Sequence, residues 1–240
     1  MSLAQDLLNK TNALSDVEFN YSHTSDLGGI IPLNDDCSAI IADATVVYFE
    51  IKNLALLQKT GKRLTARVYK MYYHVLQEIC KKSGGYLNCY SPNSFLLIYP
   101  KDKRTVSEVV NITLQIADLF SLKLREPFEK HAHINFSMGI DCGTILGTKT
   151  IGDDKGCQTI WFGTVIDKAA TIAHKCLRPF FIGTSGTVFH HLDDELKTTT
   201  KHILGIKKQV DVWERVSYEY DNVKKHLYQT NFHKELEIEQ

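Results

Sequence analysis

Gly84-Gly85-Tyr86-Leu87-Asn88-Cys89-Tyr90-Ser91-Pro92-Asn93-Ser94-Phe95-Leu96-Leu97-Ile98-Tyr99-Pro100 reads as a strand, a tight turn and a second strand. In the first arm Tyr86, Asn88 and Tyr90 fall on one side and Leu87 and Cys89 on the other. Phe95 to Tyr99 is an unbroken apolar run, suited to burial on both faces. The turn falls at Ser91-Pro92-Asn93-Ser94: proline fixes φ near about −65° and suits the second place of a type I or II turn, and asparagine tolerates the place after it.

Upstream of this hairpin, Leu64, Val68, Met71, Tyr72, Val75, Leu76, Ile79 and Cys80 recur at helical spacing, and Gly84-Gly85 closes that helix. Before it, Ala44 to Ile51 is β-branched and aromatic, the pattern of a central strand, with Glu50 inside it. A carboxylate there is costly to bury unless it is paired or binds metal. Two readings stand: Glu50 lies at a strand end near solvent or pairs with Lys52, or it serves a metal site. Downstream, Val106, Val109, Val110, Thr113, Ala117 and Phe120 line one face of a helix over 105–122, and Ile134 to Ile140 is a strand. The order β-α-β-β-α-β predicts an α+β fold with a ferredoxin-like core, its helices on one side of an antiparallel sheet.

The flanks are less regular. Leu3, Leu7, Leu8 and Leu14 suit a short amphipathic helix that docks on the body or on a partner, and residues 15–43 read as a polar lead-in loop with a short strand around Gly29 to Ile31. Beyond the core, Asp141 to Gly147 reads as a strand pair and Thr150 to Cys157 as a polar loop with solvated Asp153-Asp154. A short strand at Gln158 to Gly163 leads into a helix carrying Asp167, Ala169, Ala170, Ile172 and Ala173. Phe180 to Gly183 follows as a strand, Thr184 to His191 as a short helix, Gln209 to Arg215 as a strand, and the polar tail from Asp221 as a helix. The expected division is 1–43 lead-in, 44–216 main domain and 217–240 tail.

With 240 residues and 43% hydrophobic content, the chain can bury a sizeable core. Its 28 basic and 28 acidic residues balance, so charge gives no argument for nucleic acid or a membrane surface. No run reaches the roughly 18 apolar residues of a membrane span. Cys37, Cys80, Cys89, Cys142, Cys157 and Cys176 are scattered without a C-x-x-C pair, which predicts reduced thiols and a cytoplasmic setting. His131-x-His133 and His190-His191 hint at metal, but no third ligand has a compelling spacing.

The hairpin, the strand Phe49-Glu50-Ile51, Gly139-Ile140-Asp141 and the Trp161-Phe162-Gly163 helix entry together resemble class III nucleotide cyclases. Asp43-Ala44-Thr45-Val46-Val47-Tyr48, Val68-Tyr69-Lys70, Ala169-Ala170 and Val212-Trp213-Glu214 extend a closer resemblance, to the pyrimidine cyclases of Pycsar antiphage systems. That resemblance implies UTP or CTP as substrate, cyclic UMP or cyclic CMP as product, a separate effector that responds to it, and a head-to-tail homodimer. It places Mg²⁺ or Mn²⁺ at Glu50, the adjoining Ile51 and Asn93. It puts the transition-state residues at Asp167 and Thr171, and base-reading positions near Cys89 and Ile160.

The residues at those places depart from the family's pattern. Asn93 stands where an aspartate is usual, and one glutamate plus a neutral amide is a poor cage for Mg²⁺. Glu50 adds a methylene. Asp167 would repel phosphates that an asparagine would support, and Thr171 brings no guanidinium to the developing charge. Pro92 cannot reach the positive φ that glycine-tipped hairpins use. Lys52, Lys168 and Asp141 are candidate replacements, or else solvated lysines and a capped strand end. The expectation is a pseudo-cyclase serving as dimer partner or nucleotide-binding module; the alternative is an active cyclase with a rearranged metal site.

Overall fold

The structure, a computed structural model, describes residues 2–15, 20–24, 27, 38–53, 55, 58–59, 61–123, 135–149, 159–176, 178–179, 181–203 and 206–234. The expected strand at Gly29 to Ile31, the loop at 150–157, His131 and His133 lie outside them.

The centre is two long antiparallel strands, β2 (Ser38–Lys52) and β5 (Asn135–Lys149), paired from Ala39–Thr148 to Lys52–Asn135. The hairpin of β3 (Tyr86–Ser91) and β4 (Ser94–Pro100) joins on the far edge of β2, with Pro92-Asn93 as its turn. The core order is therefore β5-β2-β4-β3, antiparallel throughout. With α2 (Lys62–Ser83) before the hairpin and α3 (Val106–Asp118) after it, this is the expected β-α-β-β-α-β arrangement.

Local chemistry explains the boundaries. Gly84 ends α2 in the left-handed region at φ 75°, which costs glycine nothing, and its N–H bonds the Cys80 carbonyl. Thr105 and Glu108 form a reciprocal capping box at the start of α3. Both helices pack on one face of the sheet: Val68, Tyr72 and Leu76 from α2 and Val109, Val110 and Leu114 from α3 share a core with Val47, Phe49 and Ile51. Phe120, in the π-helical turn Leu119–Lys123 that prolongs α3, stacks on Tyr72 at 4.4 Å.

The opposite face is closed by β6 (Thr159–Phe162) and α4 (Thr164–Lys175), whose Trp161, Val165, Ile166 and Ala169 cover Ala44, Val46, Leu96 and Ile98. Helix α4 crosses β5 at Gly139, where a Cβ would run into the Ala169 carbonyl oxygen. Next to it, Ser137 Oγ donates to the Ala173 carbonyl at 2.7 Å.

Several expectations are corrected. The central strand begins at Ser38, not Ala44, because Ala39 to Asp43 pair with β5 and because β1 (Asn20–His23), an unforeseen polar strand, adds in parallel to its start. Asp141 to Gly147 is no strand pair; it continues β5, held by β2 along its length. β7 (Ile182–Ser185) sits two residues later than read, and α5 (Gly186–His190) begins two residues later, since Ser185 caps α5 through Val188 N–H. The single strand expected at 209–215 is divided at Val212-Trp213. β8 (Thr198–Ile203), which follows the short helix α6 (Asp194–Lys197), pairs with β9 (Ile206–Asp211). β10 (Glu214–Tyr220) instead pairs with β11 (Val223–Thr230), and Trp213 between them is buried with its indole N–H on the Leu196 carbonyl. The tail from Asp221 is thus a strand and not a helix: β11 completes the free edge of β7, and Leu227 buries against α4. The amphipathic α1 (Leu3–Ser15) forms, with Leu3, Leu7 and Leu8 exposed.

Candidate functional site

Glu50 lies on β2 two residues after Tyr48, on the face covered further along by α4. Its neighbours in register are Ser94 of β4 and Ser137 of β5. The side chain is 15% exposed, and its Oε2 is ion-paired with Lys52 Nζ; the His174 ring, on α4, stands 4.0 Å from the same oxygen. Of the two readings of Glu50, the structure displays the lysine pair.

The hairpin tip is docked onto β2 by a backbone bond from Ile51 N–H to the Asn93 carbonyl at 2.7 Å. This brings Glu50, Ile51 and Asn93 together. The Asn93 side-chain oxygen, however, accepts from Ser91 Oγ at 2.9 Å. Ser91 also meets Ser94 Oγ at 2.6 Å, and Ser94 accepts from the Tyr48 hydroxyl at 2.8 Å. A third support is the Tyr69 hydroxyl, which donates to the Ser91 carbonyl at 3.2 Å. Sequence reasoning missed this hydroxyl chain, although Tyr48, two places before Glu50, is the position that strand alternation puts on the same face.

Tested against a divalent cation, this donor set fits poorly. Mg²⁺ asks for near-octahedral hard oxygen ligands with carboxylate charge. Among the described residues Glu50 is the one carboxylate at the tip, and it is already neutralised by Lys52, while the Asn93 amide oxygen is engaged by Ser91. Among the described residues no group of three His, Cys, Asp or Glu side chains converges.

Asp167 and Thr171 stand one turn apart on α4. Thr171 spends its hydroxyl on the Asp167 carbonyl at 2.8 Å, a helix back-bond. Asp167 is solvent-exposed and close enough to Tyr90 to help raise that phenol above its ordinary pKa; burial is the larger cause, and Tyr48, 5.6 Å away ring to ring, adds to it. Cys89 is not brought to Glu50. It pairs with Phe95 and so lies on the α2 side, beside Tyr69, where partial burial pushes its thiol up. Ile160 is 48% exposed on β6, in register with Thr148. The link between these strands is Asn88, whose amide donates to the Thr159 carbonyl at 3.0 Å.

The candidate replacements are otherwise engaged. Lys52 holds Glu50, and Lys168 stands 4.0 Å from Asp141. Asp141 itself is buried and accepts from Ser185 Oγ at 2.5 Å; burial raises its carboxyl above the usual range, against that bond, the Cys142 N–H and Lys168, which lower it. His190 packs beside Phe189 and Tyr228, and His191 Nδ1 contacts the Thr187 carbonyl, so neither is arranged as a ligand pair. Cys80, Cys89, Cys142 and Cys176 are free thiols.

This fold, an antiparallel β-α-β-β-α-β core with α4 laid across its other face, is that of class III nucleotide cyclase domains. The chain resembles the adenylyl cyclase CyaB from P. aeruginosa at a TM-score of 0.63, with 12% identity over 80% of this chain and 95% of that one. A class III adenylyl cyclase-like ATP-binding protein from Pseudomonas aeruginosa gives 0.64 with 16% identity, covering 81% of this chain and 44% of that one. The guanylate cyclase domain of RhGC from Catenaria anguillulae, solved with GTP, gives 0.57 with 16% identity over 80% and 98%. No protein-family model matches the sequence, and no curated protein matches it significantly. No helix among the described residues is long and apolar enough to cross a membrane.

Proposed function

We propose that the chain is a class III cyclase-homology protein, akin to the Pycsar pyrimidine cyclases, that has lost turnover and serves as a dimer partner or nucleotide-binding module. The observation that carries this reading is the Lys52–Glu50 ion pair. A lysine seated on the one acidic side chain of the tip competes with any cation for the same oxygen. Removing one electrostatic stabiliser commonly lowers a rate by about a hundredfold or more, and here Asn93, Asp167 and Thr171 each withhold one as well.

Dimerisation is supported by an apolar strip. By register, Tyr21, Ala39, Thr148 and Ile160 form one row across β1, β2, β5 and β6, and His23, Ile41, Leu146 and Phe162 the next. Tyr21, Ile160 and Phe162 are 61%, 48% and 42% exposed. A second copy of the chain would cover these rows.

The test is to titrate UTP and CTP by calorimetry in Mn²⁺ and analyse the same samples for cyclic product. Binding without product supports the proposal. Product that disappears in Glu50→Ala supports the other reading, an active cUMP or cCMP synthase with rearranged ligands.

A further inference from the structure

β7 is only four residues long, and the chain leaves it at Ser185 to enter α5. Its neighbours β5 and β11 both run past that point: β5 pairs with β7 up to Ile140–Thr184, and β11 up to Leu227–Ser185. Asp141 on β5 and Lys225 and His226 on β11 therefore face each other across a missing strand, a gap of about two strand spacings or roughly 9–10 Å. The gap opens into a hollow of about 390 Å³.

Its charged lining is basic on balance. Lys168, Arg215 and Lys225 surround one carboxylate, Asp141, which is buried and occupied by Ser185. The guanidinium of Arg215 has neither hydrogen bond nor ion pair among the described residues, and Lys225 rests over the Tyr220 ring at 4.8 Å. Lys168 is paired with Asp141, which leaves Arg215 and Lys225 as the cations on a concave polar surface that match the chemistry of a phosphoryl group, which arginine contacts bidentately.

A second hollow of about 410 Å³ shares Arg215 and Tyr228 with the first. Phe189, stacked on Tyr228 at 3.7 Å, and Trp213, edge-on to Phe189, line it together with the polar side chains of Gln209 and Asp211. Phe189 is half-buried with one face on Tyr228 and Trp213 is buried but for a small part, so the wall offers aromatic edges to an apolar ring, beside the amide of Gln209 and the carboxylate of Asp211.

We propose that the two hollows are one site for a small aromatic phosphate of the mononucleotide type. Its phosphoryl group enters the notch at the end of β7, held by Arg215 and Lys225, and its ring lies against the Phe189–Trp213 wall. None of Arg215, Lys225, Phe189 and Trp213 belongs to the Glu50–Asn93 tip, although Asp141 and Lys168 border the notch.

The test is calorimetry on the whole chain with AMP, inorganic phosphate and adenosine as probes, and with Trp213 fluorescence as a second readout. AMP is expected to bind at least about tenfold more tightly than phosphate or adenosine alone, because only AMP engages both halves. Arg215→Glu and Lys225→Glu should each weaken AMP by about tenfold or more, as loss of a charge-assisted bond does. Both side chains lie at the surface, and an unchanged melting curve will show that the variants fold. Glu50→Ala should leave AMP binding as it is. Failure of AMP to bind up to about 10 mM overturns the proposal, as does equal affinity for AMP and phosphate. Loss of binding in Glu50→Ala with retention in Arg215→Glu would also overturn it.

Discussion

Asn93 and Lys52 set the charge of a hairpin tip whose position the backbone fixes. The Ile51–Asn93 backbone bond sets the hairpin tip on β2 whatever the side chain at 93 is, so geometry and charge are separable here. Asn93→Asp combined with Lys52→Ala should then create a pair of carboxylates without disturbing the turn. We expect Mn²⁺ affinity, read from quenching of the free-ion EPR signal, to rise by about tenfold or more over the wild-type chain. An unchanged signal would mean that the tip is unsuited to metal for reasons other than charge. The residues at 50, 93, 167 and 171 were singled out from the sequence as candidates, but the partners of Glu50 and Asn93 were not legible there. Lys52 was one of two open readings, and the Tyr48–Ser94–Ser91–Asn93 chain depends on the β2–β4 register, which strand patterns do not specify.

At the scale of elements, the crossing of α4 over β5 fixes where Asp167 and Thr171 stand. It depends on a residue without a side chain at 139. Gly139→Ala should destabilise the fold by about 3 kcal/mol or more, since the Cβ meets helix backbone that cannot yield as a side-chain tip can. Chemical denaturation measures it, and a loss below about 1 kcal/mol would show that α4 shifts freely. The capping box of α3 makes a smaller claim: Thr105→Ala should cost about 1 kcal/mol. The Glu108 carboxylate, held below its ordinary pKa chiefly by the Thr105 N–H, adds stability that is present above the unfolded-state value and is lost as pH falls through the folded one. Stability measured from neutral pH down past the carboxylate range should therefore decline less steeply in Glu108→Gln than in the wild-type chain. Because Glu108 is surface-exposed, the difference should be modest. Helices α2 and α3 were readable because periodicity and caps are local signals. β1 and β11 were not, because Asn20–His23 and Val223–Thr230 are polar segments made into strands by the free edges of β2 and β7.

For the whole molecule, an antiparallel core sheet with its helices on one side followed from the alternation of apolar strands with two periodic helices, which leaves few ways to bury both, while its strand order β5-β2-β4-β3 emerged only in the structure. Of the additions on its far side, β7 was read two residues early and β11 was not read as a strand, and together with β10 they form the basic notch. If the apolar rows of β1, β2, β5 and β6 are a dimer surface, Phe162→Glu should convert a dimer to monomer in sedimentation. A wild-type monomer at the same concentration would remove the dimer-partner role. The central claim is that this fold retains the cyclase frame but withholds the charge that cyclisation needs. Its most direct test is mass spectrometry of the wild-type chain incubated with each of the four nucleoside triphosphates and Mn²⁺. No cyclic nucleotide above the protein-free blank is the predicted result; a cyclic product that Glu50→Ala abolishes would contradict it.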